Sequence, residues 1–290
     1  MKSNDSLDSS RAGFTLLELL VMIGAVALLV LTLSPALART RSNGDGFQCL
    51  NNNRQLATAW RQWAADNNDN LLASSDIIGA PNYDPKLRPV WITGNLDWSS
   101  SPSNYDPKQD ILKSPIWPYA SSASLFRCPA DRSTVQRPDG TRVSRVRSYT
   151  MSQVFGRGRW LDSNLSATSV NWRTYGKGAE IMIPSQTMLF LDEHPGSIND
   201  GAFASDCTGN QPNDPPGVAK LVDMPGNWHS GGGAFSFADN HAEIHKWRSS
   251  YLRFLANGDG YNPPLNIYLS SDPLGYLDCH WLAAMTTVTK

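Results

Sequence analysis

The densest run of side chains able to do chemistry is "HSGGGAFSFADNHAEIHKW", residues 229–247. Phe235 and Phe237 alternate with small residues, Asp239-Asn240 supplies a two-residue turn, and alternation resumes through Trp247, so a β-hairpin is predicted. Asn tolerates the left-handed backbone of such a turn. That register pairs Ala238 with His241, Phe237 with Ala242 and Phe235 with Ile244, leaving one apolar face. His241, Glu243 and His245 then share the other face, because side chains two apart on a strand point the same way. Histidine, carboxylate and histidine suit zinc or another transition metal, with His229, Asp192 or Glu193 completing the shell. A solvated polar face is the plainer account of the same pattern.

Calcium is the second ion to weigh. Residues 66–70 ("DNNDN") and 257–260 ("NGDG") offer closely spaced oxygens, although neither fits an EF-hand loop and Asx turns explain both. No nucleophile elbow, H-E-x-x-H helix or phosphate-binding glycine loop occurs, so the chain is read as a non-enzyme. Four cysteines, Cys49, Cys128, Cys207 and Cys279, form no C-x-x-C pair. In an exported domain they permit two disulfides, with all three pairings open, and four buried free thiols are the alternative.

One more charge stands out. Glu18 lies in "GFTLLELL", just ahead of residues 19–38, a 20-residue run without a charge that is long enough to span a bilayer. A carboxylate at membrane depth costs ~2.5–3.5 kcal/mol on insertion scales and calls for a partner or a function.

These groups need a scaffold, and at 290 residues the chain can bury a sizeable core. Lys plus Arg, 25, nearly balances Asp plus Glu, 26, which argues against a nucleic-acid binder. Ten Trp among abundant Asn, Ser, Gly and Pro suit a secreted, loop-rich domain. Phe47, Leu50, Ala57, Trp60 and Ala64 recur at helical spacing, predicting an amphipathic helix over residues 47–65 after a break at "SNGDG", residues 42–46. Residues 66–124 read as loop, with Asn-Tyr-Asp-Pro-Lys occurring twice, at 82–86 and 104–108, as two similar turns. Strands are predicted over 143–151 and 181–191.

The order of features at the front, a polar leader, Arg11-Ala12-Gly13, Phe14-Thr15-Leu16-Leu17-Glu18 and the apolar run, resembles the signal of type IV pilins and type II secretion pseudopilins. The resemblance implies cleavage between Gly13 and Phe14 by a prepilin peptidase, and methylation of Phe14. It also implies pairing of Glu18 with the Phe14 ammonium of a neighbouring subunit. Pro35 stands where the family carries a helix-disrupting proline, and Gly24 weakens the same helix. His229 and Asp239 resemble a carboxy-terminal His-x9-Asp-Gly motif of planctomycete and verrucomicrobial pilin-like proteins, with Asn240 replacing the glycine. "CLNNNRQ" at Cys49 and "FRCPAD" at Cys128 look familiar from the same group.

The resemblance implies an α+β fold: a leader (1–13), a transmembrane and filament-core helix (14–38), an amphipathic continuation (39–65) and a pilin-like head with an antiparallel sheet and long loops (66–290). The implied function is a structural subunit of a periplasmic or extracellular fibre. Its partners would be the peptidase, like subunits and an inner-membrane assembly platform, and it would be a single-pass protein of the inner membrane. The charge bias alone favours the opposite orientation, since Arg39, Arg41, Arg54 and Arg61 follow the span. Two other readings compete: a membrane-tethered glycan-binding module using Trp91, Trp98, Tyr105 and Trp117, and a secreted metal-dependent enzyme centred on His241 and His245. An ordinary secretory signal cut after "SPALA" is the rival for the amino terminus.

Overall fold

A computed structural model describes residues 15–78, 83–163 and 168–290; of residues 29–43 only the helical backbone is described. The leader, Gly13 and Phe14 lie outside the described residues. The chain divides into two compact units, Met1–Asn43 and Gly44–Lys290.

Helix α1 spans Leu16–Asp66. In the first unit it opens on a capping box: the Glu18 carboxylate accepts from the Thr15 amide and hydroxyl, both at 2.9 Å, and the Glu18 amide donates to Thr15 Oγ1 at 3.3 Å. The backbone stays helical through Gly24 and Pro35, so neither interrupts the helix. The break expected at residues 42–46 is likewise absent. Among the described residues no helix is long and apolar enough to cross a membrane.

In the second unit α1 presents Cys49, Leu56, Ala57, Trp60, Trp63 and Ala64 inward. Phe47, expected on that face, is 76% exposed. Each large apolar side chain buried here stabilises the fold by ~1.5–3 kcal/mol, more than the ~1 kcal/mol a helical glycine costs. Gly46 also has a packing role: a Cβ there would lie 3.1 Å from Ile244 Cδ1 and 3.4 Å from His229 Nδ1.

The remaining elements are short. Strands β1 (Thr134–Gln136) and β2 (Arg142–Ser144) form a small hairpin, and helix α2 covers Trp117–Ala120. The main sheet contains β3 (Tyr149–Ser152), β4 (Met188–Asp192), β5 (Ala202–Phe203), β7 (Gly232–Phe237) and β8 (Ala242–Lys246) in the order β5-β3-β4-β7-β8. All its pairs are antiparallel except β3 with β5. Strand β6 (Lys220–Leu221) pairs with β9 (Ile267–Tyr268), and helices α3 (Ser250–Arg253) and α4 (Gly275–Ala284) close the chain. The fold is α+β.

Both faces of the central strands are covered. Leu189, Phe190 and Ala234 join the cluster built on α1, whereas Met188, Leu191, Phe235 and Phe237 join one with Leu252, Cys279 and Leu282. The predicted β7–β8 hairpin forms, but its register differs by one residue: Ser236 faces Ala242, Phe235 faces Glu243 and Ala234 faces Ile244. Only Asn240 is left-handed, at φ +78°, so the loop has three residues rather than two. A one-residue slip exchanges faces. Glu243 and His245 therefore share the side of Phe235, not the opposite one.

Candidate functional site

Four ionisable side chains from four remote parts of the chain meet inside the second unit. Cys49 comes from α1, Cys128 from the loop after the 3-10 turn Ala123–Phe126, Asp192 from the end of β4, and His229 from the turn before β7. Their ligand atoms all lie within 4.8 Å of one another. All four are at most 2% exposed. His229 Nε2 is 3.1 Å from Asp192 Oδ2 and 3.4 Å from Cys128 Sγ, and Cys49 Sγ is 3.9 Å from Asp192 Oδ2.

Neighbours fix Asp192, Cys49 and the Cys128 loop, whereas His229 Nδ1 is buried without a hydrogen-bond partner. The Ala234 amide donates to Asp192 Oδ1 at 2.9 Å, which leaves Oδ2 facing His229. Gly233 permits this approach, since a Cβ there would sit 3.0 Å from Asp192 Oδ1 and 2.8 Å from the Gly226 carbonyl. The glycines of "HSGGG" thus serve close packing. The Cys128 amide donates to Ser148 Oγ at 2.8 Å, and Asn52 Nδ2 donates to the Arg127 carbonyl at 3.1 Å, tying the Cys128 loop to α1. Cys49 Sγ lies 3.1 Å from the Tyr149 hydroxyl and 3.8 Å from Asn53 Nδ2. Lys246 Nζ donates to the His229 carbonyl.

The electrostatics are those of a dry cluster. Burial pushes the Cys49 thiol well above its ordinary value, reinforced by Cys128, and burial also raises Asp192 despite His229. Burial alone would depress the His229 imidazolium, but its bonds to Asp192 and Cys128 hold it up at about 10. Burial would raise Cys128, yet Cys49 and His229 bring it below the ordinary thiol value. Three chemistries suit such a set: metal ligation, a Cys49–Cys128 disulfide, and a thiolate–imidazolium pair. A groove of about 530 Å³, lined in part by Gln48, Asn52, Arg127 and Cys128, runs beside the Cys128 loop.

The other candidates are placed differently. His241 Nδ1 is 2.6 Å from Asp239 Oδ1, and its ring stacks on Phe237 at 4.2 Å. His245 stacks on Trp281 at 3.7 Å and reaches Asp278 at 3.5 Å. Among the described residues, His241, Glu243 and His245 do not form a metal-holding group, and Asp192 belongs with His229 instead. Glu193 accepts from the Ser197 hydroxyl at 2.7 Å. His194 is neutral, pushed down to about 4 by burial, and both ring nitrogens are engaged, by the Ala256 carbonyl and the Gly196 amide.

The oxygen-rich loops are struts. Asp69 accepts from the Ala179 amide, Asp66 from the Tyr119 hydroxyl, and Asp259 from the Thr134 amide and hydroxyl. The repeated Asn-Tyr-Asp-Pro-Lys gives the same Asx turn twice, with Asp84 and Asp106 each accepting from the amide two residues on. Of the aromatics considered for glycans, Trp91 is buried and Trp117 packs on the core, while Trp98 is covered by Arg145 and Tyr105 by Arg137.

All four cysteines are buried free thiols. Cys49 meets Cys128, whereas Cys207 and Cys279 belong to different core clusters. Sequence spacing could not have assembled the site, because Cys49 and Asp192 are 143 residues apart and Cys128 and His229 101 apart. No family model matches the chain, and no curated protein or solved structure matches it at a significant level.

Proposed function

We propose that the chain is a pilin-like structural subunit, processed between Gly13 and Phe14 and assembled through its amino-terminal helix into a periplasmic or extracellular fibre. The observation that carries this reading is the start of α1. Leu16, Leu17, Leu19, Leu20, Val21, Met22, Ile23, Val26 and Leu28 are all more than half exposed. Apart from Glu18 this stretch is apolar on every side, and in this reading it is covered by a bilayer before assembly and by like helices after it. In sequence the uncharged run continues to Ala38, and the inner membrane is the compartment in which this reading places it. The partners are a prepilin peptidase, like subunits and an assembly platform in that membrane.

Mass spectrometry of the native amino terminus tests the proposal. The expected terminus is a methylated Phe14. A terminus at Arg39 would overturn it in favour of a secretory signal.

A further inference from the structure

We propose that Cys49, Cys128, Asp192 and His229 bind one zinc-class divalent cation, forming a structural centre that fastens α1 to the sheet. This holds whether or not the chain forms fibres.

Distance and donor chemistry carry the inference. A tetrahedral zinc ion with Zn–S about 2.3 Å and Zn–N or Zn–O about 2.0–2.2 Å requires its donors to be roughly 3.3–3.8 Å apart. Three of the six pairs, 3.1 Å for nitrogen to oxygen, 3.4 Å for nitrogen to sulfur and 3.9 Å for sulfur to oxygen, lie close to that range, and all six lie within 4.8 Å, so binding draws the donors slightly together. Two sulfurs, an imidazole and a carboxylate are a set that zinc accepts and that magnesium or calcium does not favour. Four protein donors fill a tetrahedron and leave no open position, the pattern of a structural rather than a catalytic site.

Burial points the same way. The four groups are held out of water, and a dication there would offset two of the three negative charges that two thiolates and a carboxylate carry. The orienting bonds already described, from Ala234 to Asp192 Oδ1 and from Asn53 toward Cys49 Sγ, are the outer contacts that fix ligands in place. On binding, Cys49 and Cys128 lose their thiol protons and His229 its Nε2 proton to solvent, and no electron is transferred. Cys128 also lines the groove described above, so that groove borders one of the four donors.

The test is elemental analysis of the full-length chain, purified without chelator, beside its Cys128→Ser, His229→Ala and Cys279→Ser variants. Wild type and Cys279→Ser should carry one equivalent of zinc; the other two should carry none. The wild-type melting temperature should rise with free zinc and fall with chelator. Should the site variants fail to fold, cobalt titration of chelator-stripped wild type decides: tetrahedral d–d bands with thiolate charge transfer support the site, and an octahedral spectrum overturns it. A wild-type chain without metal, two hydrogens lighter and with Cys49 and Cys128 unreactive, would mean a disulfide and would also overturn it.

Discussion

Glu18 closes the first turn of α1 by accepting from Thr15, so one carboxylate serves the local backbone before any neighbour is considered. In a fibre it would also neutralise the Phe14 ammonium of the next subunit. Two substitutions separate these roles. Glu18→Gln keeps an acceptor for Thr15 and removes the charge, whereas Glu18→Ala removes both and so loses the capping bonds as well. Membrane insertion and leader cleavage should survive in both variants, but sheared fibre should fall steeply in both, because an unpaired buried ammonium costs several kcal/mol. Normal fibre yield from Glu18→Gln would assign the residue to capping alone. His229 drew notice in the sequence as one end of a motif. Asp192 also stands out as a candidate ligand beside His229, and Cys49 and Cys128 as candidate disulfide partners, but no spacing along the chain marks the four as one cluster.

For the elements, sequence patterning found the β7–β8 hairpin and most of the inward face of α1, and it missed what depends on register. Asp239-Asn240 reads equally well as a two-residue turn or as part of a three-residue one, and the choice decides which face carries Glu243 and His245. The break at residues 42–46 was overread because local propensity omits the buried surface that α1 gains. The hairpin tip rests on that helix: the Asn240 amide lies 3.1–3.2 Å from Thr58 Oγ1, and Arg61 donates to the Asp239 carbonyl at 3.1 Å. Asn240→Ala places an ordinary Cβ residue in the left-handed region and removes the amide, so it should destabilise by about 1–3 kcal/mol. Asn240→Gly relieves the backbone and loses only the amide contacts. Denaturant midpoints should therefore rank wild type, then Gly, then Ala; equal midpoints for the two variants would mean that the backbone is unstrained.

Over the whole molecule, carboxylates half-buried by the fold set how stability responds to pH. Burial holds Asp76 up at about 6 and Asp223 at about 7, although Ser74 donates to the first and the Ala204 amide to the second. At these two groups the folded state binds more protons than the unfolded one from about pH 4 to 7, and their contribution falls as pH rises through that window; His194, held down at about 4, acts oppositely up to about pH 6.5 and offsets part of the fall. Asp106 and Asp139, lowered by bonds from the Lys108 amide and from Thr141, act oppositely and lose their contribution only in stronger acid. Chemical denaturation should find maximum stability near pH 4, declining toward pH 8, and Asp223→Asn should flatten the decline; an unchanged slope would remove Asp223 from this account. None of this was legible in the sequence, because burial belongs to the tertiary fold.

The order in which the chain is made gives the position of Cys49 a temporal meaning. α1 is synthesised first, yet the side chains that cover Leu56 and Trp60, and three of the groups around Cys49, are supplied by segments reaching to β7. At 5–20 residues per second, that delay is on the order of ten seconds or more. During it the helix has only the earlier members of its cluster, among them Leu71, Trp91 and Phe126, to pack against. Such non-local closure folds late and slowly, so the site around Cys49 is completed only when the last hairpin arrives.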